Sequence, residues 1–151
     1  MTDGARVVRI PPPLYYVLGF AMGMLLRMAT VPLVIGDVRI AGAIVFVLGQ
    51  AFALSGVVTV IRHHTTIVPH RAVATLVTSG PYRLSRNPMY TGLAISYIGG
   101  ALLVGSWWPL LVLPVVVVIV RLVVIGPEER YLTGHFGAAY TDYCARVRRW
   151  L

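Results

Sequence analysis

Four long apolar runs, separated by polar segments, limit what this chain can fold into. The runs cover residues 14–35, 40–61, 90–104 and 109–125. A helix of about 20 apolar residues reaches across the hydrocarbon core of a bilayer. Only 12% of the residues are charged and 58% are hydrophobic, whereas soluble domains carry about 25% charged residues. The sequence therefore predicts an all-α integral membrane helical bundle with about four transmembrane helices.

The organisation of the chain follows from these runs. We interpret residues 1–151 as a single membrane domain. Residues 14–61 hold two N-terminal spans, 62–88 form a cytoplasmic loop, and 89–151 form a helical hairpin followed by a cytoplasmic C-terminal amphipathic helix. This last helix is predicted from apolar residues that recur at spacings of three and four: Leu132, Phe136, Tyr140, Tyr143 and Val147.

Glycines recur at helical spacing in the first two runs. Gly42, Gly49 and Gly56 are seven residues apart, and Gly19 and Gly23 are four apart. Small residues on one helix face let another helix approach closely. The pattern predicts close-packed seams, which could lie within one chain or between two copies in a homo-dimer.

The basic residues predict the topology. All 13 are arginines, and the formal net charge is +8. They concentrate before the first run, in the central loop and in the C-terminal tail, so the positive-inside rule places both termini and the central loop in the cytoplasm. We therefore expect a multi-pass inner (plasma) membrane protein. Arginines between apolar runs suit anionic lipid headgroups, and we expect the bilayer rather than nucleic acid as their partner.

Few residues in the chain are of the types that bind metals. Cys144 is the single cysteine, and the four histidines do not group at metal-ligand spacing, so we expect no metal site and no internal disulfide. Arg27 and Arg121 lie inside apolar runs, where a charge is costly. Arg27 could pack against a backbone carbonyl or face a polar cavity, and Arg121 could pair with an acidic residue or lie near the substrate.

Polar motifs cluster in two places. The central loop ends in residues 78–92, which read TSGPYRLSRNPMYTG, and residues 127–132 read PEERYL. Phe136-Gly137, Tyr140 and Tyr143 follow. This ordered set resembles the isoprenylcysteine carboxyl methyltransferase family and its phospholipid methyltransferase relatives, bacterial members included. Members of the family show Gly-x-Tyr, Arg-His-Pro-x-Tyr-x-Gly, a Glu-Glu pair and Phe-Gly-x-x-Tyr-x-x-Tyr in the same order.

The resemblance covers residues 65–151 and implies an S-adenosylmethionine-dependent methyltransferase. Arg86 and Glu129 are the implied catalytic residues. The implied cofactor-binding residues are Tyr82, Arg86, Asn87, Pro88, Tyr90, Gly92, Glu128, Glu129 and Tyr131. Asn87 replaces the histidine of the family pattern, which argues against any role that needs an imidazole.

Each of these residue types suits one part of the cofactor. Arg86 could pair with the carboxylate, and Glu128 or Glu129 could accept hydrogen bonds from the ribose hydroxyls or the ammonium. Tyr82, Tyr90 and Tyr131 could stack on the adenine or face the sulfonium. Gly92 would let the cofactor approach the helix backbone.

Structural interpretations of the same residues stay open. The two glutamates follow Pro127 and could simply complement the N-terminal end of a helix. Arg86 could contact a lipid phosphate. Helical spacing alone explains Tyr140 and Tyr143, which we interpret as packing residues.

The leading hypothesis is methyl transfer at the membrane surface to an amphipathic or lipid-like acceptor. Its reacting group could be a carboxylate, an amine or a thiol. A membrane reductase that uses a nicotinamide cofactor is the second hypothesis, since some such reductases resemble this C-terminal arrangement. A non-enzymatic scaffold or transporter subunit is the third.

Overall fold

The computed structural model describes residues 10–63 and 75–151, and every regular element in this part is a helix, as predicted. The elements are α1 (Pro12–Ala29), α2 (Arg39–Arg62), a 3₁₀ turn (Gly80–Arg83), α3 (Pro88–Leu103), α4 (Trp107–Val120), a π-helical turn (Arg121–Ile125), α5 (Gly126–Phe136) and α6 (Ala138–Arg146). The π-helical turn joins α4 to α5 without a break.

Within residues 10–63 and 75–151, two helices are long and apolar enough to cross a membrane. These are α2, with 24 residues, and the continuous helix Trp107–Phe136, with 30. At 1.5 Å per residue, α2 is about 36 Å long. The apolar part of the second helix ends at Ile125, and the charged residues of α5 lie beyond it. Helices α1 and α3 are shorter, with 18 and 16 residues, and four membrane crossings stay a prediction.

The first apolar run is helical only in its first part, so the predicted span over 14–35 was too long. Helix α1 ends at Ala29. Pro32 lies just beyond this end, and the residue before a proline is disfavoured in the helical region. The remainder of the run is extended and pairs with the turn between α3 and α4, where the backbone N–H of Ile35 donates to the Gly105 carbonyl at 3.0 Å.

The predicted glycine seam lies between α2 and α3. A side chain at Gly49, Gly92 or Gly99 would overlap backbone atoms of the opposite helix. Gly19 and Gly23 similarly face α4, against Val116 and Pro109. Neighbouring helices of the same chain therefore occupy these glycine faces, and a homo-dimer would need a different surface.

The two arginines inside apolar runs have different surroundings. Arg27 Nη1 donates to the carbonyl of Val104 at 2.8 Å, next to the C-terminal end of α3. This is the packing arrangement, in which the arginine satisfies a carbonyl at a helix terminus. Arg121 begins the π-helical turn and is exposed, outside the cavity described below.

The predicted single C-terminal amphipathic helix was wrong, since the segment forms two helices. Gly137 separates α5 from α6 with a φ of 53°, a conformation that favours glycine. After α6 the tail returns to the end of the central loop, where the backbone N–H of Arg86 donates to the carbonyl of Arg148 at 2.9 Å. This return brings the two polar motifs of the sequence together.

Candidate active site

A cavity of about 80 Å³ lies where the end of α2, the start of α3, α5 and α6 meet. This volume is enough for several water molecules and is below the 300–1,000 Å³ typical of whole ligand sites. The described lining is Val60, Thr75, Leu76, Val77, Tyr82, Arg86, Asn87, Met89, Glu128, Glu129, Leu132, Tyr140 and Tyr143. The cavity is therefore large enough for a small polar group, and charged and polar side chains line it.

The structure brings most of the predicted site residues together. Those that line the cavity are Tyr82, Arg86, Asn87, Glu128 and Glu129. Tyr90 joins them through its hydroxyl, which donates to Glu128 Oε2 at 3.2 Å. Three others lie apart: Pro88 is buried in the first turn of α3, Gly92 packs against α2, and Tyr131 is 40% exposed.

Glu129 is held by two arginines. Arg149 Nε and Nη2 donate to its two oxygens at 2.9 and 2.7 Å. Arg86 Nη1 lies 3.3 Å from Glu129 Oε1. The hydrogen bonds that Arg149 donates to Glu129 also raise the pKa of Arg149 above its usual value. A fork-to-fork contact of this kind is strong and directional, so the charge of Glu129 is compensated inside the protein.

Glu128 has very different surroundings, although it is the adjacent residue. Among the described residues its hydrogen-bond partner is the neutral hydroxyl of Tyr90, and no arginine pairs with it. Burial raises the pKa of Glu128 to about 7, the nearby charge of Glu129 adds to the rise, and the hydrogen bond from Tyr90 opposes it. When ionised, Glu128 thus places an uncompensated negative charge at the cavity.

Arg86 retains unused donor capacity. Its side chain is 15% exposed, and Nη1 contacts both Glu129 and the sulfur of Cys144. Its Nε is buried with no hydrogen-bond partner in the described part of the chain. Because a buried charged donor without an acceptor is costly, this guanidinium is suited to bind an anionic group that enters the cavity.

Three tyrosines form the aromatic wall. The hydroxyl of Tyr143 donates to the carbonyl of Tyr82 at 2.6 Å, which ties α6 to the 3₁₀ turn. Burial raises the pKa of Tyr143 to about 12, and it raises the pKa values of Tyr82 and Tyr140 further above the usual range. All three are therefore protonated at neutral pH. The sequence interpretation of Tyr140 and Tyr143 as packing residues was incomplete, and the Phe-Gly-x-x-Tyr-x-x-Tyr motif was the signal for their place here.

Asn87 holds the C-terminal tail. Its side-chain Nδ2 donates to the backbone carbonyl of Arg149 at 3.1 Å, and the hydroxyl of Ser85 donates to the same carbonyl at 3.3 Å. The backbone N–H of Asn87 donates in turn to Ser85 Oγ at 3.1 Å. The residue that departs from the family pattern thus fixes the backbone at Arg149. Spacing along the chain gave no signal for this contact.

Comparisons with known proteins agree with this geometry. Residues 38–139, about two thirds of the chain, match the phospholipid methyltransferase family. The chain is also similar to protein-S-isoprenylcysteine O-methyltransferase B of Arabidopsis thaliana, with 30% identity over 110 residues that cover 70% of this chain and 55% of that protein. The chain thus spans about half the length of this curated relative. No solved structure matches it. The chain therefore belongs to the phospholipid methyltransferase family.

Proposed function

We propose that the protein transfers a methyl group from S-adenosylmethionine to an amphipathic acceptor at the membrane surface. The proposal depends on one observation, that two groups of opposite charge border the cavity. Arg86 has a buried donor, Nε, that is not used, and Glu128 has no arginine partner among the described residues. The amino-acid end of the cofactor carries a carboxylate and an ammonium. These two charges complement the two protein groups.

The residues have distinct parts in this scheme. Arg86 binds the cofactor carboxylate, Glu128 accepts hydrogen bonds from the ammonium, and the tyrosine wall excludes water. The cofactor, when bound, supplies a methyl group on a sulfonium, ready for in-line displacement. Because the protein contributes mainly position and a dry environment, a cavity enclosed by helices suits the reaction. A low dielectric favours a step in which a negative acceptor and a positive donor neutralise each other.

Asn87 restricts the proton chemistry of the site. A carboxamide does not accept a proton at neutral pH, and this one already donates to the backbone of Arg149. Methyl transfer here therefore proceeds without a general base at this position. That condition suits an acceptor that arrives as a nucleophile, such as a carboxylate.

An apolar groove, connected to Glu128 through Tyr16 and Tyr90, supports an acceptor with a long apolar part. The groove has a volume of about 390 Å³, within the usual range of ligand sites, and lies between α1, α2 and α3. Tyr16 forms part of its wall and donates to the carbonyl of Tyr90 at 3.0 Å. Since Tyr90 in turn contacts Glu128, an apolar chain in the groove would have its polar end close to the cofactor.

The topology forms part of the same proposal. The end of the central loop contacts the C-terminal tail, and both are rich in arginine. This arrangement supports four crossings with both termini on the cytoplasmic side of the plasma membrane, where a soluble cofactor is available.

Titration of S-adenosylhomocysteine into the purified protein in detergent tests the cofactor site. We expect saturable binding that is lost in Arg86→Gln and in Glu128→Gln, because each removes one charge that the amino-acid end requires. Arg83→Gln and Asp142→Asn are the matched controls, since both side chains are exposed and lie outside the cavity. Equal affinity in all four variants would refute the assignment of the site.

NADPH and a set of acceptors complete the test. If the protein binds NADPH and not S-adenosylhomocysteine, it is a reductase and the methyltransferase proposal is wrong. With radiolabelled S-adenosylmethionine, we expect label in a lipidated carboxylate or a lipid amine. The same head groups without an apolar chain should remain unlabelled.

A further inference from the structure

We propose that Arg149, in the C-terminal tail, is a positioning residue of the cofactor site: it takes up the charge of Glu129 and so keeps Arg86 available for the cofactor carboxylate. This inference rests on the proposed function, because it assigns Arg86 to cofactor binding. It gives the tail a part in the reaction beyond contact with the membrane surface.

The distances around Glu129 carry the argument. Arg149 donates to both carboxylate oxygens, at 2.9 and 2.7 Å, whereas Arg86 contacts one oxygen through one nitrogen at 3.3 Å. The closer, bidentate pair is the stronger of the two. Glu129 is thus primarily the partner of Arg149, and Arg86 lies beside it with Nε still without an acceptor among the described residues.

Backbone contacts fix Arg149 independently of its own side chain. Its carbonyl accepts hydrogen bonds from Asn87 Nδ2 and from the Ser85 hydroxyl, and the preceding carbonyl, of Arg148, accepts one from the N–H of Arg86. The segment that holds the tail is therefore the segment that carries Arg86. This arrangement reduces the ordering cost of the Arg149 to Glu129 pair.

The net charge around Arg86 depends on the guanidinium of Arg149. Arg86, Arg149 and Glu129 together carry one net positive charge, which can attract an anion into the cavity. Without the Arg149 guanidinium, Glu129 and Arg86 cancel each other, and Arg86 becomes the only cation within 4 Å of the partly buried Glu129 carboxylate among the described residues. A cofactor carboxylate would then compete with Glu129 for the same guanidinium.

Calorimetric titration of S-adenosylhomocysteine into a set of charge variants tests this inference. We expect Arg149→Gln to weaken binding about tenfold, which corresponds to about 1.4 kcal/mol. Arg148→Gln is the matched control, because this side chain is exposed and only its backbone carbonyl contacts the site, and it should bind as the wild type does. The decisive variant is Arg149→Gln combined with Glu129→Gln.

The double variant separates positioning from a purely structural role. With the Glu129 charge also removed, Arg86 is free again, so affinity should return to within about threefold of the wild type. A structural role predicts the opposite, since the double variant loses more contacts than the single one. Arg149→Lys, which keeps the charge but not the bidentate contact, should lie between wild type and Arg149→Gln, and it provides a second comparison if Arg149→Gln does not fold.

The outcomes distinguish this inference from the proposed function. A folded wild type that does not bind S-adenosylhomocysteine would refute the proposed function itself. If the wild type binds, equal affinities for Arg149→Gln and Arg148→Gln would overturn the role of Arg149. A double variant as weak as Arg149→Gln would overturn it as well, because charge competition would then not be the cause.

Discussion

Because burial raises the pKa of Glu128, we expect cofactor binding to depend on pH. Burial raises its pKa from 4.5 to about 7, and the partner that the structure gives it is a neutral phenol. With a pKa of about 7, roughly nine tenths of the carboxyl groups are ionised at pH 8 and roughly one tenth at pH 6. If only the ionised form binds the cofactor ammonium, affinity should fall about tenfold between these pH values.

Calorimetry measures both the affinity and the proton release that accompanies binding. S-adenosylhomocysteine is titrated at pH 6, 7 and 8, each in two buffers with different ionisation enthalpies. Binding of a cation beside Glu128 favours the charged carboxylate, so the complex should release close to one proton at pH 6 and almost none at pH 8. The difference in heat between the buffers reports this release.

The control uses the same titration on Glu128→Gln. This variant should bind weakly at every pH, without the tenfold change and without the proton release, while Asp142→Asn should follow the wild type. Any histidine that contributes to the profile would remain in both variants. A wild-type affinity that is constant from pH 6 to pH 8, or a Glu128→Gln profile with the same slope as the wild type, would refute the reasoning.

The same shift has a consequence for stability. A carboxyl whose pKa is higher in the folded state than in the unfolded state binds more protons when folded, between pH 4.5 and about 7. The free energy of unfolding therefore falls as pH rises through this window, by an amount on the order of 3 kcal/mol for this group. The bound ammonium would offset part of this loss.

Five further substitutions test the packing and the groove. Gly92→Ala should lower the free energy of unfolding by about 1–3 kcal/mol, because its Cβ would overlap the α2 backbone. Gly134→Ala, in open space on α5, should raise the free energy of unfolding by up to about 1 kcal/mol. Thermal unfolding in detergent compares the two variants. Ala21→Phe should raise the KM for a long-chain acceptor, since Ala21 lines the groove, without changing the affinity for S-adenosylhomocysteine. Met22→Phe on the same helix is the control, and it should change neither the KM nor this affinity. Tyr16→Phe should lower the free energy of unfolding by about 0.5–1.5 kcal/mol through its lost hydrogen bond, with cofactor affinity unchanged as the control.

Hydropathy and glycine spacing were enough to predict the helical class and the close-packed glycine face of α2, whereas its partner α3 is known only from the structure. Both depend on patterns along one element, which the sequence displays directly. The errors lie at element ends. Apolar character continued past Ala29, but the extended segment after it pairs with the α3–α4 turn, a contact between parts of the chain about 70 residues apart. Gly137 divided the C-terminal helix, and this glycine, which interrupts the amphipathic pattern, was the sequence signal for the break.

The part of the candidate site that lies within the two sequence motifs was predictable. Tyr82, Arg86 and Glu128 lie in the two short motifs, and both motifs border the cavity. Gly92 belongs to the same motif but faces α2, because residues two positions apart on a helix, such as Tyr90 and Gly92, point to nearly opposite sides. Arg149 could not be assigned from sequence, since its contact with Glu129 requires the tail to fold back onto the loop.

The Glu-Glu pair combines two environments that adjacent positions on a helix make available. Successive helical residues lie about 100° apart, so one carboxylate can face the tail while the next faces Tyr90 and the cavity. Glu129 is fixed by its two hydrogen bonds from Arg149, and through that pair it determines how much of the Arg86 charge is available. Glu128, buried beside a phenol, changes protonation near neutral pH and can respond to a cation that enters. A single acidic residue could not perform both functions, because full pairing by arginine would remove the charge that a cationic ligand needs. The structure therefore gives a physical reason for two consecutive glutamates. The direct test removes each charge separately: Glu129→Gln is expected to retain cofactor binding better than Glu128→Gln.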